Sequence, residues 1–211
     1  MKHSASAVML ASLAGCLFLA ACSSVPVVKP GQAERSVLYE SRFRELSGID
    51  QWSLIGRLAV NDGKDGGSGH INWKLHGETS SMDFHGALGR GAWRLDANGD
   101  GAVLELADGK VHRAPTLGQL VEQRLGWEFP VDALTWWVRA CTAPGGWERR
   151  DIDEFGHLLG LSQFGWEIEY GNYREVEGVF MPLKLTARRD SYSVKLAIRN
   201  WFLRVDAEQN E

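Results

Sequence analysis

The chain of 211 residues predicts a mainly β, α+β fold, a curved antiparallel sheet carrying a helical lid over its concave side. Three observations predict it. From Asp50 onward apolar residues recur at every second position. Between Thr116 and Val138 the period lengthens to that of two short helices, and from Trp166 the period of two returns. One apolar face per strand, joined by short turns, describes an antiparallel sheet rather than a parallel one.

The first residues set the compartment. Lys2 and His3 give a short positive start, and residues 7–21 are almost wholly apolar and small. Such a stretch is too short to cross a bilayer comfortably and has the shape of an export signal. Its end, Leu19-Ala20-Ala21-Cys22, has the form of a bacterial lipobox, in which the signal is cut before the cysteine and the cysteine is acylated. The other reading is an ordinary signal followed by an incidental cysteine. With Ser rather than Asp at position 23 the start resembles that of sorted lipoproteins, which implies the outer membrane over inner-membrane retention, with the domain lipid-anchored and facing the periplasm. The expected organisation is a signal peptide over 1–21, an acylated Cys22 with a flexible tether to residue 31, one domain over 32–205, and a polar tail over 206–211. Cys16 leaves with the signal, so Cys141 is the one free thiol and no internal disulfide is expected.

Val37, Leu38 and Leu46, with Phe43 between, have a helix-like spacing that ends at Gly48. In the first run of strands, Trp52, Leu54, Leu58 and Val60 share one face. Ile71, Trp73 and Leu75 alternate with Asn72, Lys74 and His76; Met82 and Phe84 alternate with Asp83 and His85. Trp93 and Leu95 continue the series, followed by Leu104 and Leu106, with Asp108-Gly109 as a hairpin turn. Thr116-Leu117-Gly118-Gln119 fits a capping box, with Leu117, Leu120, Val121 and Leu125 behind it and Gly126 as a stop. Pro130 opens a second helix with Val131, Leu134, Trp137 and Val138 on one stripe, expected to end by Pro144-Gly145-Gly146. Trp166, Ile168 and Tyr170, then Val179, Met181, Leu183 and Leu185, then Val194, Leu196 and Ile198 complete the strands.

Composition narrows the function. The formal charge is −4 and no basic block occurs, so the chain is not expected to bind nucleic acid. The sequence contains no Gly-x-Ser-x-Gly elbow, phosphate loop or His-Glu-x-x-His pair, and neither an enzyme activity, a cofactor nor a metal is expected. His70, His76 and His85 lie on neighbouring strands and read as solvated sheet residues. Cys141 sits at a helix end among apolar neighbours and reads as a buried spectator rather than a nucleophile paired with His157. Residues 62–67 lack calcium-loop spacing, and the pairs Glu167/Glu169 and Asp151/Asp153 read as solvated strand faces. What remains is an apolar concave surface bearing Trp52, Leu58, Trp73, Phe84 and Trp93, capped by Leu134 and Trp137. It is either a solid core or a hollow that holds an acyl chain.

Gly126-Trp127-Glu128-Phe129-Pro130 followed by Leu134 and Trp137-Val138 resembles the helix signature of the outer-membrane lipoprotein receptor family LolB. Phe84-His85-Gly86-Ala87-Leu88-Gly89 is similar to that family's loop with a protruding leucine, and residues 51–56, Trp73 and Asn200-Trp201 also fit. Two departures occur: Ala140-Cys141 stand where a Gly-containing turn is usual, and Ala87 where Pro is common. The resemblance implies an incomplete antiparallel β-barrel closed by helices around a hydrophobic cavity. It further implies a monomer that takes acylated client lipoproteins from the periplasmic carrier LolA and inserts them into outer-membrane lipid. On it, Trp52, Leu58, Trp73, Phe84, Trp93, Leu134, Trp137 and Val138 line the cavity or its lid, Leu88 enters the membrane and Cys22 anchors the chain. The alternative is an envelope lipid-binding or structural lipoprotein without carrier exchange.

Overall fold

The computed structural model describes residues 30–86, 91–125 and 129–203. The signal, Cys22, Leu88, Gly126-Trp127-Glu128 and the polar tail lie outside the described residues. Helix α1 (Gln32–Ser47) leads into six strands, β1 (Gln51–Asn61), β2 (Gly66–His76), β3 (Thr79–Gly86), β4 (Trp93–Asn98), β5 (Gly101–Leu106) and β6 (Val111–Ala114). Helices α2 (Leu117–Leu125) and α3 (Val131–Trp137) follow. Then come β7 (Arg149–Ile152), β8 (Leu158–Gln163), β9 (Trp166–Val176), β10 (Val179–Arg189) and β11 (Tyr192–Leu203).

All eleven strands form one antiparallel sheet in the order β6-β5-β4-β3-β2-β1-β11-β10-β9-β8-β7. Each half is a meander of sequential hairpins, and the halves join where β1 pairs with β11. Strands β6 and β7 are therefore the two edges, and the chain between them is α2 and α3. To pass from one edge to the other the polypeptide crosses the concave face as helices. The barrel is thus open between strands and covered by a helical strap, as the sequence predicts.

Alternation holds along most strands. In β9 Trp166, Ile168 and Tyr170 are buried between exposed Glu167 and Glu169. At β1–β11 the register shifts: Ile55 faces Asn200 while Gly56 faces Ile198, leaving Arg199 as an extra residue. This bulge switches parity, so Trp201 and Leu203 point inward on one side of it and Val194, Leu196 and Ile198 on the other. β7 includes Asp151, which reads as part of a solvated strand face, whereas β8 lies where no alternation is visible. Four successive β8 residues, Gly160, Leu161, Ser162 and Gln163, are buried, because both faces of that strand are covered.

α1 forms where its apolar spacing predicts, but its buried residues are Tyr39 and Leu46, while Val37 and Leu38 are 69% and 40% exposed. The Arg150 guanidinium holds the helix, lying 4.6 Å from the Tyr39 ring, 4.1 Å from the Trp147 ring, and 2.7 Å from Glu40 Oε1.

α3 stops at Trp137, well before Pro144. The Ala140 N–H donates to Trp137 O and the Cys141 N–H donates to Trp136 O, the paired bonds of a helix stop that places its turning residue in the left-handed region. Ala140 occupies that position with φ of 58°. Ala140 therefore adopts the conformation a glycine would supply, at a cost of about 1 kcal/mol.

Candidate functional site

The concave face divides into two regions along the strands. Near the start of β1 it is solid: Trp52 packs edge-on against Trp73 at 5.0 Å and against Trp201 at 5.5 Å. The Trp73 indole N–H donates to Ser80 Oγ at 2.9 Å and the Trp201 indole N–H to Pro182 O at 2.9 Å, so both rings are fixed. Toward the end of β1 the packing opens into a cavity of about 50 Å³. The sheet lines it with Leu58, Val60, Ile71, Trp73, Met82, Trp93, Leu95, Val194 and Leu196; the helical side contributes Val121, Phe129, Val131 and Leu134. Every lining side chain is apolar.

Four residues expected at the site, Leu58, Trp73, Trp93 and Leu134, meet at this cavity. Trp73 is its floor, shared with the tryptophan cluster. Phe84 stands behind the wall, its ring stacked on Trp93 at 5.1 Å with an interplanar angle of 14°. That ring lies over Gly69, where an added Cβ would come within 2.7 Å of Phe84 Cζ and 2.3 Å of His85 O. Trp52 belongs to the solid region. Trp137 and Val138, both fully buried, fasten the cover rather than line the hollow. Lining residues that were not anticipated are Val60, Ile71, Met82, Leu95, Val194 and Leu196 on the sheet and Val121, Phe129 and Val131 on the helical side. All but Phe129 lie on apolar stripes visible in the sequence, whereas no periodicity marks Phe129.

The cover is pinned at one end. Gln163, fully buried on β8, accepts from the Trp137 indole N–H at 2.7 Å and from the Ala143 N–H at 3.0 Å. Its amide nitrogen donates to Ala143 O at 2.8 Å and to Gly146 O at 3.0 Å, so every donor and both acceptor sites of the amide are used. Arg139, 4% exposed, donates through Nη1 to Leu46 O and Ile49 O and through Nε to Thr135 O, with its guanidinium 5.1 Å from the Trp136 ring. Burial pulls its pKa below the usual arginine value, and the carbonyls at the end of α1 compensate the charge. Beside it the Cys141 thiol is pushed up to about 12 by burial, which leaves it protonated and inert at neutral pH. Phe129 leans edge-on against Trp166 at 4.7 Å and against Trp137 at 6.0 Å, at the other end of α3. α2 is capped by the Gln119 N–H donating to Thr116 Oγ1 and is held by packing, with Leu117, Leu120 and Val121 buried on the side of β5 and β6.

A wider groove of about 600 Å³ opens at the other end of the sheet, lined in part by Asp50, Glu78, Asp132 and Arg139. Its ionic lining makes it a poor host for an alkyl chain.

Residues 50–201 match the family model described as outer membrane lipoprotein LolB. This chain belongs to the LolB family. An outer-membrane lipoprotein LolB of Pseudomonas fluorescens is 35% identical over 91% of each chain, and one of Pseudomonas putida is 31% identical over 95% of this chain and 96% of its own. In shape, the chain is similar to a LolA-superfamily protein of Nitrosomonas europaea, with a TM-score of 0.52 and 10% identity over 81% of this chain and 96% of that one. It is also similar to a putative outer-membrane lipoprotein-sorting protein domain of Vibrio parahaemolyticus, with a TM-score of 0.51, 11% identity, and 84% and 95% of the two chains covered. At such identities the two structures speak for the fold alone. Family membership and fold together place the protein in lipoprotein localisation.

Replacing Gln163 by Ala leaves the Trp137 indole N–H and the Ala143 amide without partners in a buried place. The expected loss is about 3 kcal/mol of unfolding free energy, measured by urea denaturation, with the β-sheet circular dichroism signal retained below the transition.

Proposed function

We propose that this protein receives the acyl chains of lipoproteins from the periplasmic carrier LolA and delivers them into the outer membrane as a monomer, without nucleotide. The supporting observation is the wholly apolar cavity beneath a cover fastened at one end. A sixteen-carbon chain exposed to water costs on the order of 13 kcal/mol at ~0.8 kcal/mol per methylene. Free diffusion between carrier and membrane is excluded by that cost, so the chain must pass from one apolar enclosure to another. Net flow requires only that this enclosure bind more tightly than the carrier and the bilayer more tightly still.

The cavity of about 50 Å³ is a third of the ~150 Å³ hollow that accepts a benzene molecule. An alkyl chain needs more room than this, so loading displaces part of the cover. With α3 fastened at Trp137 and Arg139, the parts that yield are α2 and Phe129, which lifts Val121 and Phe129 away from the sheet while Val131 and Leu134 stay in place on α3. Trp73 and Trp93 stay as stiff walls. Cys22 carries the anchoring acyl groups, and Leu88 dips into lipid when cargo is released.

The direct test incubates purified carrier, loaded with an acylated lipoprotein, with this protein. Cargo is expected to leave the carrier and co-purify with this protein; cargo that stays on the carrier overturns the reading. Uptake of a fluorescent fatty acid without exchange would favour the lipid-binding alternative, and uptake of neither the structural one. In the same assay Leu134→Glu, which puts a carboxylate on the wall, is expected to lower cargo capture at least tenfold. Leu88→Glu is expected to accept cargo normally but to fail in releasing it to vesicles, read as lipoprotein recovered in the lipid fraction.

A further inference from the structure

α1 turns apolar side chains outward at the end of the molecule opposite the cavity. Val37 is 69% and Leu38 40% exposed, and both lie on the helix that follows the tether. They do not stand alone. Leu38 packs against the β7–β8 turn at Gly156, where an added Cβ would come within 2.7 Å of Leu38 Cβ; a φ of 81° also requires glycine there. The residue before it, Phe155, is 66% exposed, with its ring 6.0 Å from His157, and His157 lies 5.4 Å from the ring of Phe180, itself 39% exposed. Arg42 ties the patch together by donating to Phe180 O at 2.7 Å. Val37, Leu38, Phe155 and Phe180 thus form one surface spread over α1, the β7–β8 turn and the start of β10. A contiguous exposed surface of this kind marks an interaction site.

Its position follows from register. α1 ends beside the first residue of β1, and Phe180 begins β10 near the end of β11 that pairs with the start of β1. The cavity lies toward the far end of β1, beside Val60 and Val194. The polypeptide to the anchor also ends at this face. Only eight residue steps separate Cys22 from Pro30, and Arg35 at the start of α1 is tied to Pro30 O and Ile152 O. Eight steps reach at most ~29 Å when fully extended. Bilayer holding Cys22 is therefore never farther than that from α1.

We infer that the protein rests on its own membrane through the face made by Val37, Leu38, Phe155 and Phe180, with the cavity end directed away from the bilayer. This rests on the reading of Cys22 as the lipid anchor. Arg35 and Arg42 flank the patch, as do Glu34 and Glu154, so its charge is nearly balanced. Apolar rings at the headgroup boundary, rather than attraction to anionic lipid, carry the contact. Such an orientation presents the hollow to a soluble donor and requires the molecule to turn over before delivering cargo.

The test uses the full acylated chain reconstituted in phosphatidylethanolamine and phosphatidylglycerol vesicles that contain spin-labelled lipid. A fluorophore is attached through Val37→Cys, or through Asp108→Cys in the β5–β6 turn at the cavity end; Cys141, being buried, does not compete. Expected is quenching at position 37 at least threefold stronger than at 108, unchanged by high salt, and lowered at least threefold when Phe155→Asp is added to the Val37→Cys chain. Equal quenching at both positions, stronger quenching at 108, or quenching at neither overturns the inference. So does a label response at 37 that follows protein concentration rather than lipid, which would mean a second copy covers the patch. Cargo exchange with the carrier is measured separately: its failure alongside strong quenching at 37 would sink the transport reading and leave this orientation standing.

Discussion

Trp137 donates its indole N–H to the buried amide of Gln163, and this bond joins the helical cover to a sheet that, among the described residues, has no second layer of strands. An open sheet with one apolar face needs something to keep water off that face. Here the chain between the two edge strands does so, because it has to cross from β6 to β7. Gln163 and Arg139 hold that crossing at the α3 end with hydrogen bonds to defined atoms. At the α2 end the cover is held mostly by apolar packing, which is non-directional. A cover fastened by bonds at one end and by packing at the other can lift without unfolding.

The same division explains the distribution of tryptophans. Trp52, Trp73 and Trp201 interlock near the start of β1 and make that half of the interior solid, while Trp73 and Trp93 also wall the cavity. Solid packing beneath the cavity gives it a firm floor.

The order and type of most elements were legible in the sequence because one sheet face is apolar and the other solvated, a pattern that β2, β3 and β9 write directly as alternation. β8 was not, since Leu161, Ser162 and Gln163 are buried on both faces and Gln163 serves the cover rather than solvent. The bulge at Arg199 was likewise invisible, although it alone lets Trp201 and Leu196 share a face. The end of α3 was misplaced because its stop is made by Ala140 in a conformation that sequence reading reserves for glycine. Of the site, the tryptophan and leucine walls could be read from strand and helix periodicity. Phe129 could not, for it stands between elements and reaches the cavity only through its tertiary contacts with Trp166 and Trp137. The outward turn of Val37 and Leu38 was hidden for the opposite reason: apolar spacing on a helix does not say which surface it serves.

The central claim is that the hollow enlarges by lifting α2 while α3 stays tied to β8. Spin labels at Gln123 on α2 and Lys184 on the outer face of β10 report that movement as a distance measured by pulsed electron resonance. Adding an acylated lipoprotein on its carrier should lengthen the Gln123–Lys184 distance, while the distance between labels at Thr135 on α3 and Lys184 stays as it was. Cargo bound with both distances unchanged would contradict it.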